Sequence, residues 1–452
     1  MALIESFSGV RGIFKKELTP EMAENYAHCY SKILPKNSVV VIGQDTRISG
    51  NILKSALVKG LNCKIIDVGT LPTATIEHAV RYFNADGGII ITASHNEPEF
   101  NGFKFLSKDG AVLRPKPMQR VINYFHQNLK YSPNKHYIII DKHDETLESY
   151  NEFILSFLSE EEIKLIQNSN IQILVDPNGG TGHIAKAIFD KLNIKAKFIN
   201  TKEGIFSRKI EPTLNSLSYL LPHLTKGMFA AGFDCDADRV EILLDNGELV
   251  SGNQTLALIT QSILLSSKNP QEETIVVNDA TSYLVKEIVG SFNASWKEVE
   301  VGEINVVDKM LETNSKIGGE GSNGGIITPP SRCRDGILTL VLLFKLLAKE
   351  NKSLEELVQE LPNYNYSKIK IKLTEDFTIL RNNVIKYYQD NNFKIQLTGD
   401  ETGGLKAIKN NSWVWFRQSK TEDKVLRIIA NSKEEKVVKA LLEQAQILLS
   451  NS

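Results

Sequence analysis

The segment SVVVIGQDTRISGNILKSALVKGLNCKIIDVGTLPTATIEHAVRYFNADGGIIITASHN, residues 38–96, decides the fold class. Ser38–Gly43 is a β-branched apolar run, and Ile52, Leu53, Ala56 and Leu57 then recur at helical spacing, with Ser49 as the expected cap. Cys63–Val68 reads as a second strand, Thr73–Phe83 as a helix and Gly88–Thr92 as a third strand. Strands alternating with helices build a mostly parallel sheet whose faces are covered by the helices.

Outward from this segment the pattern restarts twice. Ile171–Val175 is a buried-type strand, followed by Pro177-Asn-Gly-Gly180 and a helix from about His183. Thr274–Asn278 is another such strand, with a helical segment and the strand Trp296–Val301 beyond it. After Pro362 the pattern changes to the strands Ser367–Leu373, Trp413–Arg417 and Val425–Ala430 and a closing helix, Lys433–Leu449. The chain has 452 residues, more than one core supports. The expected architecture is therefore α/β: three α/β domains with mixed, mostly parallel sheets, plus a C-terminal α+β domain with an antiparallel sheet. The expected boundaries are 1–145, 146–250, 251–362 and 363–452.

Bulk composition excludes several classes. Hydrophobic residues make up 42% and charged residues 24%, as in ordinary water-soluble domains. A formal net charge of −1 lends no support to a nucleic-acid partner. Cys29, Cys63, Cys235 and Cys333 form no CxxC pair, so neither a zinc ribbon nor a disulfide framework is expected. Met1–Val10 lacks a basic-then-apolar signal pattern, and the most apolar stretch, Gly336–Ala348, is interrupted by Lys345 and too short to span a bilayer. The expectation is a cytoplasmic protein with no membrane partner.

Four loops carry candidate chemistry. Ser94-His95-Asn96 follows the strand ending at Thr92, where ligands of open α/β sheets gather. Serine is a weak nucleophile that needs an activating neighbour or, once phosphorylated, a charge sink. The pattern G-x-S-x-G of serine hydrolases is absent here, and a plain polar turn is the competing reading. Asp234, Asp236 and Asp238 stand at alternate positions after the apolar run Met228–Phe233. Crowded anions call for a cation, and oxygen ligands favour Mg²⁺ or Ca²⁺. An EF-hand is rejected because Arg239 and Asp245 occupy its sixth and twelfth positions. Gly318-Gly-Glu320-Gly-Ser322-Asn323-Gly-Gly325 suits close approach and hydroxyl recognition, and Arg417-Gln-Ser419-Lys420-Thr421 suits a phosphate.

Taken in order, these segments resemble the α-D-phosphohexomutase superfamily. Its phosphoserine loop resembles Thr92-Ala-Ser94-His95-Asn96, and its metal loop is similar to Asp234-x-Asp236-x-Asp238-Arg239. Its sugar loop resembles Gly319-Glu320-Gly321-Ser322, and its phosphate loop Arg417-x-Ser419-x-Thr421-Glu422. The segment around Arg11, the turn Gly43–Arg47 and Val175–Gly182 also match, so the resemblance spans nearly the whole chain.

The resemblance implies four domains around a central cleft, each lending one loop. It implies one Mg²⁺ held by Asp234, Asp236, Asp238 and the phosphate on Ser94, with a sugar 1,6-bisphosphate intermediate and glucose 1,6-bisphosphate as activator. Ser94 would carry the phosphoryl group, Arg11 would stabilise charge, His95 would orient the loop, and Lys104 would be the general base through burial beside cations. Arg239, Glu320, Ser322, Asn323, Arg417, Ser419, Lys420 and Thr421 would bind substrate. The implied partners are small hexose phosphates, acted on by a monomer or homodimer. The implied activity is that of phosphoglucomutase/phosphomannomutase. The alternatives are phosphoglucosamine mutase, a Mg²⁺-dependent sugar-phosphate phosphatase and a non-catalytic sensor. Gly324 stands where many members have histidine, and Lys420, Asp423 and Glu97 also depart from the common pattern, so the preferred hexose stays open.

Overall fold

Runs of valine and isoleucine closed by glycine or aspartate form the central strands of the first sheet. The structure is a computed structural model that describes residues 3–127, 133–134, 137–321, 324–419 and 424–450. It contains two compact units, Met1–Val250 with Gly325–Leu357, and Ser251–Gly324 with Val358–Ser452.

In the first unit, β1 (Ile4–Ser6), β2 (Gly9–Ile13), β3 (Val39–Gln44), β4 (Lys64–Thr70), β5 (Gly87–Ile91), β6 (Phe100–Ser107) and β7 (Ile139–Asp141) form one sheet in the order β1-β2-β6-β5-β3-β4-β7. The strands from β5 to β7 are parallel, while β6, β2 and β1 add antiparallel to the free side of β5. Helices Pro20–Ser31, Gly50–Gly60 and Pro115–His126 bury Tyr26, Leu53, Leu57 and Val121 with Phe103 and Phe105 in one core. Ser49 precedes Gly50–Gly60, but its side chain does not cap that helix. Its backbone is already helical, and its Oγ instead accepts from Asn101 Nδ2 at 2.8 Å.

The second sheet holds β8 (Gln172–Asp176), β9 (Lys195–Phe198), β10 (Phe229–Phe233), β11 (Val240–Leu244) and β12 (Leu249–Val250), in the order β12-β11-β10-β8-β9. Here β9, β8 and β10 run parallel, and β11 returns antiparallel to β10 across the 234–238 loop.

In the second unit, β13 (Thr274–Asn278) lies between β14 (Ser295–Val299) and β15 (Ile317–Gly319), all parallel. The chain then returns to the first unit with β16 (Ile326–Ile327) and helix Gly336–Glu350. That helix is apolar on nearly every side and correspondingly buried, with Phe344 edge-on to Phe189 at 5.0 Å and Lys345 paired with Glu162 at 2.8 Å. Among the described residues no helix is long and apolar enough to cross a membrane.

The last sheet is antiparallel throughout: β17 (Asn365–Lys372), β18 (Lys394–Leu397), β19 (Leu405–Lys409), β20 (Ser412–Gln418) and β21 (Val425–Ser432), ordered β17-β21-β20-β19-β18. Period-two alternation splits its residues. Val414, Phe416 and Ile428 pack with helices Phe377–Asp390 and Glu435–Ser450, whereas Trp413, Trp415 and Ile429 pack on Ala280 and Tyr283.

Candidate active site

Because β3 and β5 are parallel neighbours, their carboxyl ends deliver two loops side by side. The Asp45 N–H donates to the Ile91 carbonyl at 3.0 Å, so Asp45–Arg47 emerges next to Ser94. Thr92 Oγ1 donates to Asp45 Oδ2 at 2.7 Å and accepts the Ser94 N–H at 2.8 Å. Arg47 pairs through Nε with Asp45 at 3.0 Å. Its Nη2 donates to the carbonyls of Ser94 and Asn96 at 2.7 and 2.6 Å, and its Nη1 to that of Glu97 at 2.9 Å. This clamp holds Ser94 at φ +50°, a left-handed backbone that costs a non-glycine residue roughly 1–3 kcal/mol.

The acidic loop leaves the carboxyl end of β10. Ser94 Oγ donates to Asp234 Oδ2 at 3.0 Å. Asp234, Asp236 and Asp238 are all buried, and each offers one oxygen within 4.8 Å of the others. Asp236 Oδ1 and Asp238 Oδ1 accept no hydrogen bond among the described residues. Burial, then the charges of Asp238 and Asp236, push the Asp234 carboxyl well above the usual carboxylate range. Burial acts the same way on Asp238, but Arg334, Lys104 and Arg239 outweigh it and hold that carboxyl low. Ala237, between the ligand candidates, also has a left-handed backbone at φ +53°. Hard oxygens that are close, buried and partly without donors suit a divalent cation.

Basic groups surround this loop. Lys104 on β6 donates to Asp236 Oδ2 at 2.9 Å and Asp238 Oδ2 at 3.3 Å, and Thr73 Oγ1 donates to the same Asp236 oxygen at 2.6 Å. The sequence reading set Lys104 beside cations. The structure sets it against carboxylates, because β6 runs antiparallel to β5 and carries Lys104 to the edge where the acidic loop lies. Arg11 on β2 donates to Asn96 Oδ1 at 3.3 Å. The Arg239 N–H donates to Asp234 Oδ1 at 3.2 Å, while its guanidinium pairs with Glu211 at 3.3 Å. His95 Nδ1 is buried with no hydrogen-bond partner among the described residues. Burial, then Arg239 and Arg11, push its imidazole far below the usual range, so the ring is neutral. Gly325, at φ +109°, closes over the loop, where an added Cβ would lie 2.4 Å from the Asp238 carbonyl oxygen.

In the second unit, the carboxyl ends of β13, β14 and β15 bring together Asn278, Glu300 and Glu320. Glu320 Oε1 accepts from Asn278 Nδ2 and from the Gly302 N–H, each at 3.0 Å. Arg417, at the end of β20, pairs with Glu300 at 2.8 Å, and the Ser419 N–H donates to the Val425 carbonyl at 2.7 Å. Ser322, Asn323, Lys420 and Thr421 lie outside the described residues.

Residues 5–132 match the model of phosphoglucomutase/phosphomannomutase alpha/beta/alpha domain I, and residues 251–364 that of domain III. The chain is 33% identical to a phosphoglucomutase/phosphomannomutase of Thermococcus kodakarensis, over 98% of each chain. The chain belongs to the phosphoglucomutase/phosphomannomutase family. It is also 31% identical, over 96% of each chain, to a phosphoglucosamine/phosphogalactosamine mutase of Sulfurisphaera tokodaii. The fold is that of a family protein from Burkholderia thailandensis, with a TM-score of 0.81 at 21% identity over 98% of this chain and 97% of that one. These relatives are named as mutases or as members of this family, and none of them favours the phosphatase alternative.

Several residues of this family member escaped the sequence reading. Asp45 and Arg47 lie in the turn Gly43–Arg47 that resembles the family, yet no role followed for either. Thr73, Glu300 and Arg334 gave no signal. Arg334 approaches Asp238 Oδ2 at 3.5 Å only because Gly325–Leu357 folds back into the first unit.

Proposed function

We propose that this chain interconverts hexose 1-phosphates and hexose 6-phosphates. In this reading phosphorylated Ser94 gives its phosphoryl group to the free sugar hydroxyl, and the resulting 1,6-bisphosphate returns its other phosphoryl group to Ser94. The observation that carries the reading is the hydrogen bond from Ser94 Oγ to Asp234, 3.0 Å long, inside a buried cluster of three carboxylates. Phosphoryl transfer depends on positioning and charge neutralisation, which such a cluster provides once it binds a cation.

Asp234, Asp236 and Asp238 would hold one Mg²⁺ with an oxygen of the Ser94 phosphate, supplying a Lewis acid at the phosphoryl group. Arg47 fixes the Ser94 loop through its carbonyls, and Arg11 remains cationic throughout and balances the transferring charge. Lys104 is the candidate base for the sugar hydroxyl. To act so it would have to leave Asp236 Oδ2 and Asp238 Oδ2, to which it now donates. His95 is neutral, and its Nδ1, without a hydrogen-bond partner among the described residues, is offered to a substrate or phosphate oxygen. Arg239, Glu320 and Arg417 are assigned to the substrate, together with Ser322, Asn323, Ser419, Lys420 and Thr421. In this reading the stretches 1–145, 146–250, 251–362 and 363–452 each lend one loop.

Incubation with glucose 1-phosphate, mannose 1-phosphate or glucosamine 1-phosphate, each with Mg²⁺ and trace glucose 1,6-bisphosphate, tests the proposal. The expected product is the 6-phosphate without accumulating inorganic phosphate, and the ranking of the three names the hexose. Steady release of inorganic phosphate with no 6-phosphate would overturn it.

A further inference from the structure

The carboxylate assigned to the sugar is gripped at Oε1 by two donors. Glu320 Oε1 accepts from Asn278 Nδ2 and from the Gly302 N–H, each at 3.0 Å. Two donors on one oxygen fix the plane of the carboxylate and so its orientation. Gly302 is a backbone group at the start of helix Glu303–Thr313, whereas Asn278 grips Glu320 through its side chain.

Asn278 is fully committed. It ends β13, is 1% exposed, and spends its carbonyl oxygen on the Ala280 N–H at 3.2 Å and on Thr281 Oγ1 at 2.9 Å. Thr281 Oγ1 in turn accepts the Gly321 N–H at 3.2 Å, one residue past Glu320. The amide therefore grips the sugar loop twice, through the Glu320 side chain and through the Gly321 backbone. Gly321 has no room for a side chain, since a Cβ there would lie 1.9 Å from Asn253 Oδ1. An aspartate at 278 would keep both acceptor contacts and replace the donating amide with a second carboxylate facing Glu320.

We infer that Asn278 is a positioning residue for sugar recognition: it aims Glu320 at one hydroxyl of the hexose phosphate and thereby sets which hydroxyl pattern is accepted. The inference rests on the mutase reading above and deepens it.

The test uses the full chain with Mg²⁺ and trace glucose 1,6-bisphosphate. It compares wild type, Asn278→Ala, Asn278→Asp, Glu320→Ala and the Asn278→Ala/Glu320→Ala double variant. Losing one buried donor to a carboxylate should raise KM for glucose 1-phosphate about ten-fold in Asn278→Ala, and further in Asn278→Asp. Inhibition by inorganic phosphate, which reports the phosphate-binding groups, should stay within about two-fold of wild type, as should kcat. For one of the 2-, 3- or 4-deoxy analogues of glucose 1-phosphate the KM ratio should fall to about one, because the hydroxyl that Glu320 meets is missing. The double variant should be no worse than Glu320→Ala.

A KM unchanged in both single Asn278 variants overturns the inference. So does a loss that persists equally on all three deoxy analogues, or one that adds fully to that of Glu320→Ala, since a merely structural asparagine would behave that way. If Asn278→Ala is poorly folded, Asn278→Asp, similar in shape, carries the same comparison. A wild-type chain that turns over none of the three hexose 1-phosphates instead overturns the mutase reading itself. That control separates the two failures.

Discussion

The loops around Ser94 and Asp234 differ in kind from those around Glu320 and Arg417. In the first pair, two non-glycine residues, Ser94 and Ala237, are held in left-handed backbone, and three buried carboxylates crowd together. Both features are costly, and both are maintained by a dense set of hydrogen bonds: Arg47, Thr73 and Lys104 donate, and Thr92 Oγ1 accepts the Ser94 N–H. In the second pair neither Glu320 nor Arg417 itself has a positive φ, though Lys424 after Arg417 does at φ +51°, and Glu320 and Arg417 meet Asn278, Gly302 and Glu300 at neighbouring strand ends. The contrast fits a division of labour. A reacting centre has to be organised before substrate arrives, because reorganisation during the reaction adds to the barrier. Recognition tolerates groups that exchange a protein partner for a ligand.

The comparison breaks most sharply at Ser94 itself. Ser94→Ala removes the proposed phosphoryl carrier but no core volume, so steady-state turnover should fall at least about a thousand-fold. Intact-mass measurement should find that variant never phosphorylated, and near-normal turnover would end the argument. Next in size, Asp236→Asn or removal of Mg²⁺ by chelation should cost about two to three orders of magnitude in kcat, with activity returning to the chelated wild type when Mg²⁺ is restored. Unchanged metal dependence in Asp236→Asn would take that residue out of the metal site.

Arg47→Ala tests whether the clamp, rather than the serine alone, makes the centre. It strands three carbonyls and removes the buried ion-pair partner of Asp45, so a loss of about 2–4 kcal/mol in denaturant stability is expected together with a drop in kcat. By contrast, Arg417→Ala should act mainly on KM, about ten-fold, with a smaller change in kcat. Equal kcat losses in both would erase the distinction between organised centre and recognition loops. The smallest effect isolates backbone strain: Ser94→Gly should be more stable than Ser94→Ala by up to about 1 kcal/mol in urea melts, since glycine accepts φ +50° freely.

Much of this was legible in residue order. Thr274–Asn278 is a strand over the span read from the sequence, and Gly88–Thr92 and Val425–Ala430 differ from the observed strands only at their ends. The first two are buried on both faces in mostly parallel sheets, so their apolar runs are unbroken, while in the last Arg427 interrupts an otherwise apolar run. The strands Lys394–Leu397 and Leu405–Lys409 and the helix Phe377–Asp390 were missed. They carry polar residues on one face, and Lys406 is buried against Glu298 at 2.7 Å, which no period rule anticipates. Ser49 failed as a cap for a similar reason: a tertiary donor, Asn101, took its hydroxyl.

Residue order by itself determined the alternation of strand and helix, the change to an antiparallel last sheet, and the types of residue available for chemistry. Periodicity and local turn chemistry are properties of neighbours in the chain, and they survive without a fold. Only the tertiary structure decided that Lys104 meets carboxylates, that Arg47 holds the Ser94 carbonyl, and that Arg334 returns to Asp238. Those contacts join residues far apart in the chain, and their energies depend on burial and exact distance, which exist only once the sheets have paired.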